Sequence, residues 1–114
     1  MKEHPCYQIN HGVNYSLAPT DNLRLEVSST CFHVLSYHHM DSATFESTKD
    51  RDTLTLSFYR HQARICGRSL RELALAVQGR AVESIKTMPT RYSGVAGSDA
   101  GIVESIEVET IKAE

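Results

Sequence analysis

The stretch T-L-T-L-S-F-Y-R, residues 53–60, alternates apolar and polar side chains with a period of two. Leu54, Leu56 and Phe58 fall on one side, and Thr53, Thr55, Ser57 and Tyr59 fall on the other. A pleated strand is the regular structure that sends successive side chains to opposite faces, so this segment reads as a strand with one buried face. The same period recurs in L-R-L-E-V-S-S, where Leu23, Leu25 and Val27 alternate with Arg24, Glu26 and Ser28. It resumes through Ala63 and Ile65 in A-R-I-C, and Gly67 closes that segment. Residues 48–52, T-K-D-R-D, separate the segments as a turn, and A-T-F-E-S reads as a short strand centred on Phe45.

Residues 31–40, C-F-H-V-L-S-Y-H-H-M, depart from this pattern. Phe32, Val34 and Met40 lie on one side, with Cys31, His33, Leu35, Tyr37 and His39 on the other. A strand apolar on both faces predicts a central or sandwiched position. Two further strands are expected, from A-V-E-S-I-K-T-M at 81–88 and I-V-E-S-I-E-V-E-T-I at 102–111. Their shared V-E-S-I, at 82–85 and 103–106, is too short for a repeat architecture. It reads as two edge strands with similar needs, with a hairpin between them as a further arrangement.

One helix interrupts the strands. S-L-R-E-L-A-L-A-V-Q-G opens on Ser69 with Glu72 three residues on, the pattern of a capping box, and ends at Gly79 as the C′ residue. Leu70, Leu73, Ala74 and Val77 give it one apolar face, which requires a sheet to lie on. Helices do not alternate with strands, so the pattern disfavours a doubly wound parallel sheet. The expected class is α+β: a mostly antiparallel sheet of about six strands with one helix, about 69–78, packed on it. Residues 1–22 read as an irregular N-terminal arm with a short strand around Tyr7–Ile9, and residues 23–114 as a single domain. A chain of 114 residues buries roughly two-thirds of its unfolded surface, enough for one core without disulfides or metal.

Charge and composition narrow the function classes. The formal net charge of −2 argues against a global attraction to nucleic acid or to an anionic membrane. No apolar run approaches the ~20 residues that span a bilayer. The N-terminus lacks the apolar stretch of a secretory signal, so a cytoplasmic protein is expected. The three cysteines, Cys6, Cys31 and Cys66, form neither a disulfide framework nor a zinc ribbon. Cys31 and Cys66 are expected as small buried thiols in strands, whereas Cys6 falls in the arm.

Six histidines invite a site: His4, His11, His33, His38, His39 and His61. On a regular strand His33, Tyr37, His39 and Asp41 share one face and His38 points away, so the adjacent pair cannot serve one centre. The candidate ligand-binding set is therefore His33, Tyr37, His39, Asp41 and His61. None of the H-x-H, H-E-x-x-H or H-x₃-H spacings occurs, so no metal and no cofactor is assigned. No G-x-S-x-G elbow is present, and no catalytic residue is assigned. Cys66 between Arg64 and Arg68, the carboxylates of Glu107 and Glu109, and the glycines at 94, 97 and 101 each have a structural explanation. Those glycines sit in a long loop at 90–101 between two strands, whereas a phosphate loop opens a helix.

Charge asymmetry is the more informative signal. Arg60, Arg64, Arg68, Arg71 and Arg80 face one acid, Glu72, over residues 60–80, whereas five acids face Lys112 from Asp99 onward. Arg60, Arg64, Arg68 and Arg71 form the candidate interaction surface. With Tyr59 and His61 beside them they could bind single-stranded nucleic acid. The preferred alternative pairs the arginine-rich strand with the Glu-rich C-terminal strand, within one sheet or between subunits. The functional expectation is a non-enzymatic binding or assembly module forming a homo-oligomer, because something must cover the two-faced strand 31–40. A small-ligand or metal-dependent enzyme using the histidine-rich strand end is the second reading, and a nucleic-acid module using the basic segment is the third.

Overall fold

The computed structural model describes residues 6–87 and 101–111. Eight strands form two four-stranded sheets. β1 (Tyr7–Ile9), β7 (Val82–Lys86), β2 (Asn22–Ser28) and β3 (Cys31–Ser36) make the first sheet, in that order. β4 (Met40–Ser47), β5 (Asp52–Phe58), β6 (His61–Arg68) and β8 (Ile102–Thr110) make the second. One helix, α1 (Arg71–Gln78), completes the regular structure described. The α+β class and the mostly antiparallel pairing hold, and β2–β7 is the one parallel pair in the two sheets. The single sheet of about six strands is corrected to two sheets. Period-two patterning tells which face of a strand is buried and says nothing of which strands share a ladder.

Both sheets send their apolar rows into one core. Leu23 and Leu25 of β2, Val82 and Ile85 of β7, Leu54, Leu56 and Phe58 of β5, Ala63 and Ile65 of β6, and Val103 and Ile106 of β8 are all buried there. Each fully buried Leu, Ile or Val side chain contributes about 1.5–3 kcal/mol of transfer free energy. The helix meets β4 of one sheet and β7 of the other, burying Leu73, Ala76 and Val77 against both. Cys6 and Tyr7 also belong to the core, and the Cys6 thiol accepts a hydrogen bond from the Val103 amide at 3.4 Å. The short strand expected near Tyr7 is thus β1, which pairs antiparallel with β7.

Several local expectations shift. The helix does not use Ser69 and Glu72 as a capping box. Ser69 takes φ 57°, Leu70 is the N-terminal flanking residue, and no side chain of the helix caps it. Instead the buried Asp52 carboxylate, from the start of β5, accepts the Leu70 amide at 2.9 Å and the Ser47 hydroxyl at 2.6 Å. At the other end Gly79 keeps φ −81° and Arg80 takes the left-handed φ of 57°. The amides of Arg80 and Ala81 then close onto the carbonyls of Val77 and Ala76, the two bonds of a Schellman motif displaced by one residue.

Gly67 lies within β6, at an irregularity in its pairing with β8. A Cβ there would sit 1.8 Å from the Ile102 carbonyl oxygen, so only glycine lets the two backbones approach. The two V-E-S-I segments do not form a hairpin: β7 belongs to the first sheet and β8 to the second. The loop expected over 90–101 falls outside the described residues except for Gly101.

β3 is the largest departure. It is not central but ends the first sheet, and among the described residues no strand pairs with its outer edge. Phe32 and Val34 are 59% and 56% exposed. The thiol of Cys31 is exposed as well, contrary to expectation, whereas Cys66 is buried as expected.

Candidate functional site

Residues 37–41 do not continue β3. The chain turns through a short 3-10 segment, Tyr37–His39, and re-enters the second sheet as β4. The Ser36 hydroxyl accepts the His38 amide at 3.2 Å and fixes the entry to this turn. The Tyr59 amide donates to the His39 carbonyl at 2.7 Å, which clasps the turn to the tight Tyr59–Arg60 connection between β5 and β6. A strand-to-strand crossing and a hairpin end are thereby held side by side.

Between them opens a cleft of about 540 Å³, lined by Leu35, Ser36, His38, His39, Asp41, Phe58, Tyr59, Arg60 and His61. Leu35 and Phe58 are buried and give it an apolar floor. Its rim is polar: the His39 and Tyr59 rings stand 6.3 Å apart, and the Arg60 guanidinium lies over the Tyr59 ring at 5.3 Å. The His33 ring stands 6.4 Å from that of His61, linking β3 to β6.

Of the five ligand-binding candidates, the structure brings His39, Asp41 and His61 to one cleft and sets His33 beside His61. Tyr37 goes elsewhere. Its ring is buried in the core and its hydroxyl donates to the Val82 carbonyl at 2.7 Å, while burial pushes its phenol well above the ordinary value. The 3-10 turn also overturns the alternation expected for the histidine pair, because His38 and His39 both line the cleft. Strand periodicity does not group His38, Tyr59 and the floor residues. The signal in the sequence that bears on them is the tight spacing of two strands around Tyr59 and Arg60. Among the described residues, no three His, Cys, Asp or Glu side chains are grouped to hold a metal ion.

The four arginines of the basic segment do not converge. Arg60 is on the cleft, whereas Arg71 lies on α1, beside a second groove of about 530 Å³ lined by Met40, Phe45, Ala74 and Leu75 among others. Arg64 and Arg68 are exposed on β6, in the ladder with β8. Arg64 stands opposite Glu107, and the Arg68 Nε lies 3.6 Å from the Glu104 carboxylate. The pairing of the arginine-rich strand with the Glu-rich strand is therefore made within one sheet. An exposed pair of this kind contributes about 0–1 kcal/mol.

β3 supplies the second candidate surface. Across its ladder with β2, Phe32 stands opposite Glu26 and Val34 opposite Arg24. The Arg24 guanidinium reaches the Glu26 carboxylate at 3.2 Å and lies 5.8 Å from the Phe32 ring centroid. Two apolar side chains and an open backbone edge thus border one charged pair. Among the described residues, no helix is long and apolar enough to cross a membrane. No known protein family matches the chain, and no characterised protein or solved structure matches it.

Proposed function

We propose that this chain is a non-enzymatic binding and assembly module that works as a homo-oligomer, two copies joining antiparallel along β3. The observation that carries the reading is the exposed, apolar edge at Phe32 and Val34, with which no strand pairs among the described residues. An unblocked edge strand is a template for another strand, and natural sheets cover such edges or blunt them with charge. The other edges are blunted. β8 presents Glu104, Glu107 and Glu109 to solvent, and two copies of it side by side would repel. β4 exposes Asp41, Ser42, Thr44 and Glu46, and β1 is only three residues long.

A second copy is the occupant that β3 suits. Antiparallel pairing of identical strands is isologous, so one strand supplies both halves of the interface. With the two-fold axis at His33, Phe32 of each copy meets Val34 of the other, an aromatic–β-branched pair of the favoured kind. Arg24 flanks Val34 and Glu26 flanks Phe32, so each row across the joint carries opposite charges at its two ends. Arg64 and Arg68 support the nucleic-acid reading less, because Arg68 already pairs with Glu104 and Arg64 stands opposite Glu107 in the ladder of its own sheet. The proposed setting is the cytoplasm, where the exposed Cys31 thiol stays reduced.

Sedimentation velocity of the untagged chain over a concentration series tests the reading, with Val34→Lys as the edge-blunting variant. A dimer that Val34→Lys converts to folded monomer is expected. A wild-type chain that stays monomeric at micromolar concentration, or a dimer indifferent to Val34→Lys, would refute it.

A further inference from the structure

The cleft between the 3-10 turn and the β5–β6 connection adjoins the end of β3 through Leu35 and Ser36, and what it binds is set by the cleft's own lining rather than by the Phe32–Val34 edge. Its volume of about 540 Å³ falls within the range of small-molecule sites. Such sites combine an apolar surface with a few polar groups that fix orientation. Here Leu35 and Phe58 supply the floor, Tyr59 supplies an aromatic wall that is 60% exposed, and Arg60, His38, His39 and His61 supply donors. Asp41 is the acid among the lining residues.

We infer that this cleft binds a small organic carboxylate with an apolar or aromatic body. The fixed charges set the ligand's charge. Arg60 is the guanidinium among the lining residues and Asp41 the one carboxylate, while the imidazoles add further hydrogen-bonding nitrogens. One guanidinium beside one carboxylate leaves no surplus positive charge to hold a dianion such as phosphate, so an anion there is held by the directional contact of a single guanidinium. The guanidinium presents a planar fork that matches a carboxylate in two hydrogen bonds. Arg60 is already held over the Tyr59 ring, so less side-chain freedom is lost when a ligand binds. The apolar floor lies beside these donors, which gives the body of the ligand a place out of water. The shape of the site is kept by the Tyr59 amide bond to the His39 carbonyl and by the Ser36 hydroxyl under His38.

The test is an amide-resonance titration of the full chain with phenylacetate, phenylacetamide and inorganic phosphate in parallel. Phenylacetate is expected to saturate in the millimolar range or below, with shifts concentrated at residues 35–41 and 58–61. Phenylacetamide and phosphate are each expected to bind about tenfold more weakly or worse. Arg60→Gln should weaken phenylacetate by about tenfold, whereas Arg51→Gln, in the exposed β4–β5 turn, should leave it unchanged. His39→Gln serves as a second variant at the rim, and its shift pattern should lose the contribution of the 3-10 turn. Four results would each overturn the inference: no saturable shifts, shifts elsewhere on the surface, equal binding of the neutral amide, or phosphate binding as tightly as the carboxylate. The same holds if Arg60→Gln folds and binds phenylacetate as before. Sedimentation of the same samples reports assembly separately, so failure of the cleft and failure of the β3 joint are read independently.

Discussion

Replacing Asp52 by alanine should destabilise the domain far more than any change at Ser69. In sequence Ser69 and Glu72 form the helix cap, yet in the structure the amide that opens α1 is held from 18 residues away. Asp52 is 9% exposed, and its two carboxylate oxygens accept from the Leu70 amide at 2.9 Å and the Ser47 hydroxyl at 2.6 Å. Alanine leaves the buried Leu70 N–H without an acceptor, which costs about 1–3 kcal/mol. Loss of a negative charge beside a helix N-terminus adds about 0.3–1 kcal/mol. The expected total is about 1.3–4 kcal/mol, or roughly 5–16 °C in Tm for a domain of this size. Ser69→Ala should cost less than about 0.5 kcal/mol, because the hydroxyl caps nothing, whereas a true N-cap serine would cost about 1 kcal/mol. Ser69→Gly should be neutral or stabilising by up to about 1 kcal/mol, since φ 57° suits glycine. Urea unfolding followed by circular dichroism, at one protein concentration for all variants, gives the three values. If Ser69→Ala costs as much as Asp52→Ala, the helix is capped locally and the cross-element cap is wrong.

Gly67→Ala should lose about 3 kcal/mol or more, because the clash is with backbone atoms of β8 that no rotamer change relieves, and thermal unfolding will show it. A wild-type Tm would mean that β6 and β8 lie farther apart there. Alkaline pH gives another test. Burial first, then the Glu72 charge, pushes the Tyr7 phenol up to about 12, and burial pushes Tyr37 higher still. The folded state therefore favours the neutral phenols. Their contribution is complete below the ordinary value near 10 and is lost as pH rises through the folded values. Phenolate absorbance and circular dichroism recorded together should show two tyrosines ionising only as the fold is lost. Ionisation of all the tyrosines near pH 10 with the fold intact would contradict their burial.

The structure shows what local pattern can and cannot carry. Alternation located β2, β5 and β6 with their buried faces, because a strand's inward row is set by side-chain polarity alone. The mixed pattern of residues 31–40 misled for a physical reason. Two apolar faces suggest a covered strand, but here the segment is a strand, a 3-10 turn and the start of another strand, with Phe32 and Val34 left outside. The break after Ser36 turned Tyr37 into the core and both histidines onto one cleft, which a regular strand forbids. The cross-strand pairing of Arg64 with Glu107 was legible as charge asymmetry, since opposite charges on adjacent strands stabilise a ladder.

By itself, then, the sequence determined the strand-rich α+β class, the helix after β6 and most of the core rows, all of which come from the spacing of apolar residues over a few positions. Tertiary structure alone decided that the strands divide between two sheets, that Asp52 holds the helix, that β3 is an edge, and that His38, His39, Arg60 and His61 meet. Those facts depend on backbone hydrogen bonds and contacts between residues far apart in the chain, where local periodicity carries no information about the partner.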